Sequence, residues 1–117
     1  AHAALLDACG GDLDRLTHAA ALQALAEPAA QALLRLAAYY LGCHAPSAGG
    51  DPVARFHLDN GARLERLDPL GDLSPKGLRQ SFGMMVNYLY DLDKVETHHE
   101  KFVHGEVAQS RLLTSLL

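Results

Sequence analysis

His57 is the titratable side chain whose sequence surroundings most favour chemistry. It lies in FHLDNGARLERL, residues 56–67, shortly before the dipeptide Asn60-Gly61. Histidine exchanges protons near neutral pH. A histidine on a rigid strand can also be aimed more accurately than one on a loop. The alternative is a structural strand histidine whose ring is hydrogen-bonded to a backbone carbonyl.

Asn60 and Gly61 predict the tip of a β-hairpin. A type I′ turn needs positive φ at both central positions, which Asn and Gly adopt most easily. We therefore expect strands over residues 52–58 and 62–67, with His57 paired to Leu64. In this interpretation Asn60 and Gly61 have a conformational role, because they form the turn that positions His57.

Tyr90 is the second candidate and ends a segment that predicts another strand. The valine and tyrosines of MMVNYLY, residues 84–90, favour extended backbone. In such a strand Tyr88 and Tyr90 face one side and Asn87 the other. We expect this strand to join the hairpin as the third strand of a small antiparallel sheet. A strand tyrosine with its ring in the core is the structural alternative.

The elements around these segments are predicted to be helical. Residues 1–43 form an alanine-rich helical segment in which Asp12 caps a helix over 13–26. Ser74 and Pro75 start a short helix, and residues 93–117 form the C-terminal helices. The predicted fold class is α+β, mostly helical with a small antiparallel sheet.

Composition and charge exclude several kinds of partner. The 117 residues carry a formal charge of −4, with acids and bases interleaved, which argues against nucleic-acid or anionic-membrane binding. No signal peptide is visible, and the longest apolar run, residues 19–41, is interrupted by polar residues. Cys9 and Cys43 lack a zinc pattern and suggest reduced thiols in a cytoplasmic protein. The abundance of Ala, Leu and Arg points to a bacterial source.

The C-terminal region contains residues with partial metal-ligand spacing. Glu96, Glu100 and His104 lie one helical turn apart, and His98 and His99 are adjacent. The pattern is not HExxH, and no second element supplies ligands. We expect a solvated helix face and no metal.

Two segments together resemble one enzyme family. DPVARFHLDNGARLERL, followed by SPKGLRQSFGMMVNYLYDL, resembles the C-terminal part of malonyl-CoA decarboxylases over residues 51–92. The F-H-L-x-N-G-A and N-Y-x-Y elements carry the resemblance through their order and spacing. It implies that residues 1–117 are a single partial domain, the second half of an acetyltransferase (GNAT)-like catalytic domain. Residues 51–92 would be its hairpin–helix–strand core.

The resemblance also implies an activity and its residues. His57 matches the family's catalytic histidine, and Tyr90 matches a position near the active site. The implied reaction, in fatty acid metabolism, converts malonyl-CoA to acetyl-CoA and CO2. It needs no metal or organic cofactor, because the thioester carbonyl accepts the electrons. His57 would donate a proton or stabilise the enolate oxygen.

The chain departs from the family pattern in one respect. The catalytic serine motif, which lies upstream of the histidine in the family, is absent from these residues. Because the chain begins at Ala1 and already reads as helix, we expect it to be part of a longer polypeptide and inactive alone. Its expected partners are malonyl-CoA and acetyl-CoA, the rest of the polypeptide or other subunits, and further copies in a homo-oligomer.

Two questions stay open at this level. Residues that contact coenzyme A are unassigned, since Arg55, Arg63 and Arg66 could meet its phosphates or be solvated. The alternative function is a non-catalytic assembly or regulatory module derived from the acetyltransferase-like fold.

Overall fold

The computed structural model describes residues 2–117, except the side chains of His2 and Ala4. Both helices and strands are present, and each strand lies between two helices in the sequence. The elements are α1 His2–Ala8, a 3-10 helix Leu13–Thr17, α2 Ala19–Gln23, α3 Glu27–Gly42, α4 Pro52–Asp59, β1 Arg63–Asp68, α5 Pro75–Ser81, β2 Met85–Leu89, α6 Val95–Val103 and α7 Arg111–Thr114.

The predicted class, α+β and mostly helical with a small antiparallel sheet, is confirmed. Strands β1 and β2 pair with each other in an antiparallel sheet of two strands. A single parallel bridge joins Leu64 of β1 to Gln109. The strand predicted over residues 84–90 is present as β2, Met85–Leu89.

The predicted hairpin is wrong: its first strand is helix α4. Asp51 caps this helix by accepting a hydrogen bond from the Ala54 backbone N–H at 2.9 Å, and Pro52 occupies its first turn. Ala54 and Leu58, one turn apart, are buried. Because residues 52–59 are helical, the expected ladder pairing of His57 with Leu64 does not exist.

Asn60 and Gly61 end this helix and do not form a hairpin tip. Asn60 is the C-cap residue, and Gly61 follows with φ of 92°. A helix commonly ends on a glycine with positive φ, so the same dipeptide fits a helix end as well as a hairpin. The turn predicted at this position is real, but it joins α4 to β1.

Two other helix predictions have different outcomes. Ser74 caps α5, since its Oγ accepts a hydrogen bond from the Gly77 backbone N–H at 3.1 Å. The helix predicted over 13–26 is interrupted, because His18 has extended backbone between the 3-10 helix and α2.

The chain divides into two compact units. The first comprises Ala1–Ala37 and Leu67–Met85. Its core contains Leu5, Cys9, Leu16, Leu22 and Leu78. This division does not test whether residues 1–117 are a single partial domain, which stays a prediction.

The second unit comprises Ala38–Arg66 and Val86–Leu117. Leu58, Leu64 and Leu113 are its largest fully buried side chains. Both site candidates, His57 and Tyr90, belong to this unit. Among the described residues, no helix combines the length and the apolar character that crossing a bilayer requires.

Candidate functional site

His57 and Tyr90 lie in direct contact. Helix α4 carries His57 in its last turn, and Tyr90 directly follows the last residue of β2. The Nδ1 atom of His57 lies 2.7 Å from the Tyr90 hydroxyl oxygen, a hydrogen-bond distance. The structure therefore brings the two predicted site residues together, although His57 comes from a helix and not from a strand.

Tyr88 packs its ring against one face of the His57 imidazole. Its ring and the His57 ring are stacked, with centroids 4.3 Å apart and planes inclined by 24°. Tyr90 meets the same imidazole at a steep angle of 65°. Tyr88 and Tyr90 both contact the His57 ring, because side chains two residues apart in a strand point to the same face. Sequence reasoning placed Tyr88 on this face but gave it no function.

The second ring nitrogen of His57, Nε2, makes no hydrogen bond to the residues that the structure describes. His57 itself is half-buried. If the Tyr90 hydroxyl donates to Nδ1, a neutral imidazole carries its proton on Nε2 and can donate it outward. If Nδ1 donates to Tyr90, Nε2 is an acceptor. The direction of the hydrogen bond with Tyr90 thus decides whether Nε2 of a neutral imidazole carries a proton.

Burial raises the pKa of the Tyr88 hydroxyl above its ordinary value, and the negative charge of Asp51 adds to this effect. The phenol is therefore uncharged at neutral pH. Its oxygen is buried and has no hydrogen-bond partner among the described residues. Tyr88 contacts His57 through its ring, and its hydroxyl makes no hydrogen bond to His57.

Two histidines of α6 hold the carboxyl end of α4. Nδ1 of the buried His98 lies 3.2 Å from the Gly61 carbonyl oxygen. Nδ1 of His99 lies 2.5 Å from the carbonyl oxygen of Asp59 and 3.3 Å from its carboxylate. A carbonyl oxygen only accepts, so both Nδ1 atoms donate. These contacts fix the turn that follows His57.

The same turn depends on Gly61 for a second reason. A Cβ atom on Gly61 would clash with the Val95 carbonyl oxygen and lie 2.5 Å from Val95 Cγ1. The amide of Asn60 donates to the Phe56 carbonyl oxygen at 2.7 Å and adds a further cap. Asn60 and Gly61 therefore determine how α4 ends, and their role in positioning a site stays a prediction.

The arginines predicted as possible phosphate ligands have internal partners or are exposed. Arg55 donates from Nη1 to the Ala45 carbonyl oxygen at 2.8 Å and also to the Ser47 carbonyl. Arg63 pairs with Glu65 at 2.7 Å. Arg66 is exposed. The geometry assigns no coenzyme A contact to these side chains.

The C-terminal acidic and histidine residues do not gather around a common point. His104 donates from Nδ1 to the Glu100 carbonyl oxygen of its own helix at 2.8 Å. Across the described residues, no three His, Cys, Asp or Glu side chains are placed to hold a metal ion. Sequence reasoning missed the roles of His98 and His99, because their partners lie far away in the chain.

We expect Tyr90→Phe to lower the turnover of the full-length protein roughly twofold to tenfold. The change removes one hydrogen bond to His57, and such a bond contributes about 0.5–1.5 kcal/mol. The ring remains, so packing is preserved. Steady-state kinetics with circular dichroism would check this, and a loss as large as that of a His57 variant would contradict a supporting role.

Comparison with known proteins identifies the family. A model described as "Malonyl-CoA decarboxylase C-terminal domain" matches residues 5–117. The chain is 44% identical over 72 residues to the mitochondrial malonyl-CoA decarboxylase of Anser anser anser, covering 61% of this chain and 14% of that protein. The Rattus norvegicus protein of the same name is 48% identical over 63 residues, covering 53% and 13%.

Solved structures agree with this match. Malonyl-CoA decarboxylase from Agrobacterium vitis has a TM-score of 0.69 at 51% identity, covering 74% of this chain and 22% of that one. The Cupriavidus metallidurans enzyme has a TM-score of 0.75 at 35% identity, covering 96% and 30%. The chain thus spans less than a third of each relative, and it belongs to the malonyl-CoA decarboxylase family, within the C-terminal domain.

Proposed function

We propose that the full-length protein converts malonyl-CoA to acetyl-CoA and CO2, and that His57 and Tyr90 belong to its active site. The observation that carries the proposal is the His57–Tyr90 contact, beside which the opposite nitrogen of the imidazole has no hydrogen-bond partner among the described residues. It occurs in a chain whose relatives are named for this reaction.

The proposed reaction begins with cleavage of the bond between C2 and the carboxylate carbon. CO2 leaves, and the electron pair of that bond moves through C2 to the thioester carbonyl, which becomes an enolate oxygen. A proton is then added to C2 to give acetyl-CoA. The thioester itself is the electron acceptor, so this chemistry requires no metal or organic cofactor.

His57 has two possible roles in this sequence, and both use Nε2. As a hydrogen-bond donor, Nε2–H stabilises the negative charge on the enolate oxygen. As a general acid, it transfers its proton to C2. In either role, the contact of Nδ1 with Tyr90 and the stacking on Tyr88 limit the directions in which Nε2 can point.

The proposed partners follow from surfaces near the site. Val53 and Phe56 on α4 are 58% and 64% exposed, and Leu92 is 87% exposed. Apolar side chains of this size gain free energy when another surface covers them. We propose that the rest of the polypeptide or other subunits, in a homo-oligomer, provide that cover. The acetyltransferase-like fold is likewise part of the proposal.

The test compares the full-length protein with the 117-residue chain in a malonyl-CoA assay that detects acetyl-CoA and CO2. We expect product from the full-length protein and none from the chain alone, because these residues lack the family's serine motif. Product from the chain alone would contradict the proposal that the active site also needs residues outside these 117. A folded full-length protein that forms no acetyl-CoA would favour the alternative, a non-catalytic assembly or regulatory module.

A further inference from the structure

We infer that Tyr88 is a positioning residue that holds the His57 imidazole flat on its ring, so that Nε2 keeps one direction. The inference rests on the proposed function for its kinetic consequence. Its structural part concerns only the contact between the two rings, and it can be tested without activity.

The hydrogen bond between Tyr90 and His57 cannot orient the imidazole by itself. It fixes the position of Nδ1, at 2.7 Å from the hydroxyl oxygen. The side chain can still combine rotations about χ1 and χ2 that keep this distance, and Nε2 moves with them. A second contact, on another part of the ring, is needed to prevent that motion.

Tyr88 supplies this second contact. Its ring lies 4.3 Å from the imidazole centroid with planes inclined by only 24°, the arrangement of a stacked pair. Tilting the imidazole would open a gap on one side and force a clash on the other. Hydrogen bond and stacking together therefore leave Nε2 a narrow range of directions.

The ring of Tyr88, and not its hydroxyl, does this positioning. The hydroxyl oxygen is buried and unpartnered in the described part of the chain. A buried hydroxyl without a partner costs free energy, so its removal should not harm the fold. This separates two substitutions: phenylalanine keeps the stacking surface, whereas leucine removes it at similar hydrophobicity.

The kinetic test compares Tyr88→Phe and Tyr88→Leu in the full-length protein with malonyl-CoA. We expect Tyr88→Leu to lower kcat roughly twofold to tenfold, the range that corresponds to an aromatic pair. KM should stay within about twofold of wild type, because His57 contributes little to ground-state binding. Tyr88→Phe should keep wild-type kcat. Tyr88→Met provides a second non-aromatic variant if the leucine variant does not fold.

The spectroscopic test uses the ring-proton signals of His57 in nuclear magnetic resonance spectra of the same variants. A stacked aromatic ring shifts these signals upfield, so we expect the shift in wild type and Tyr88→Phe and its loss in Tyr88→Leu or Tyr88→Met. This readout holds even if wild type makes no acetyl-CoA, so failure of the proposed function is distinguishable from failure of the inference.

Three results would overturn the inference. The first is an unchanged His57 spectrum in folded Tyr88→Leu or Tyr88→Met. The second is a Tyr88→Phe variant as impaired as Tyr88→Leu, which would make the hydroxyl the important group. The third is wild-type kcat in every folded variant of an active enzyme.

Discussion

Replacing His57 with alanine in the full-length protein is expected to lower kcat at least about a hundredfold, with a modest change in KM. Loss of an oxyanion donor typically costs about 10²–10³ in turnover. Loss of a general acid or base costs about 10²–10⁴. The expected effect therefore holds for either role of Nε2.

The expected difference between the effects on kcat and KM follows from the size of the proposed substrate, malonyl-CoA. Coenzyme A offers many contacts far from the reacting carbons, so one imidazole changes ground-state affinity little. The enolate-like transition state has few donors, so the loss of one raises the barrier. Steady-state kinetics with malonyl-CoA measures both parameters.

His104→Ala is the matched control for this experiment. His104 is an exposed histidine at the end of α6, and among the described residues its ring contacts Glu100 of that helix. We expect it to keep wild-type turnover. Circular dichroism should show that both variants are folded. If folded His57→Ala kept more than about a tenth of wild-type turnover, His57 would have a structural role.

Gly61→Ala is expected to lower the free energy of unfolding by about 2–4 kcal/mol. Two causes add up. Alanine is strained at φ of 92°, and its Cβ would press on the Val95 carbonyl and side chain. Relief of the clash would move the end of α4 away from α6 and disturb the hydrogen bonds from His98 and His99. Denaturant unfolding of the variant measures the loss.

Gly105→Ala separates these two causes. Gly105 follows the end of α6 with φ of 83°, but no described atom beyond its own two chain neighbours lies within 4 Å of the position that a Cβ atom would occupy there. Gly105→Ala introduces the backbone strain without the clash, so it should lower the free energy of unfolding by about 1–2 kcal/mol. Equal losses for the two glycine variants would show that the close approach of Val95 is unimportant. We also expect lower turnover only for Gly61→Ala, because only that turn adjoins the His57 helix.

Part of this site could be predicted from the sequence. The His57 and Tyr90 motifs carried the family resemblance, and the strand that precedes Tyr90 was predicted from its β-branched and aromatic residues. The class of the fold was also predicted. These features depend on local sequence, where residue type and spacing are informative.

The element that carries His57 was predicted wrongly because Asn60-Gly61 suits two structures. A hairpin tip and a helix end both need positive φ, so the dipeptide alone does not decide between them. Asp51-Pro52 indicates the helix, because a capping residue followed by proline is typical of a helix start. The same signal at Ser74-Pro75 was interpreted correctly as a helix start.

The roles of Tyr88, His98 and His99 could not be predicted, because they depend on distant contacts. His98 and His99 bond to backbone carbonyls of Gly61 and Asp59. A backbone carbonyl is present at every residue and leaves no trace in the sequence. The stacking of Tyr88 on His57 likewise depends on how β2 and α4 meet in space.

A single-turnover measurement tests the central claim about His57 most directly. With full-length enzyme in excess over malonyl-CoA, the rate of acetyl-CoA formation reports the chemical step without product release. We expect His57→Ala to lower this rate at least about a hundredfold at enzyme concentrations that bind all the substrate. A rate above about a tenth of that of wild type in the folded variant would contradict the claim that His57 acts on the thioester.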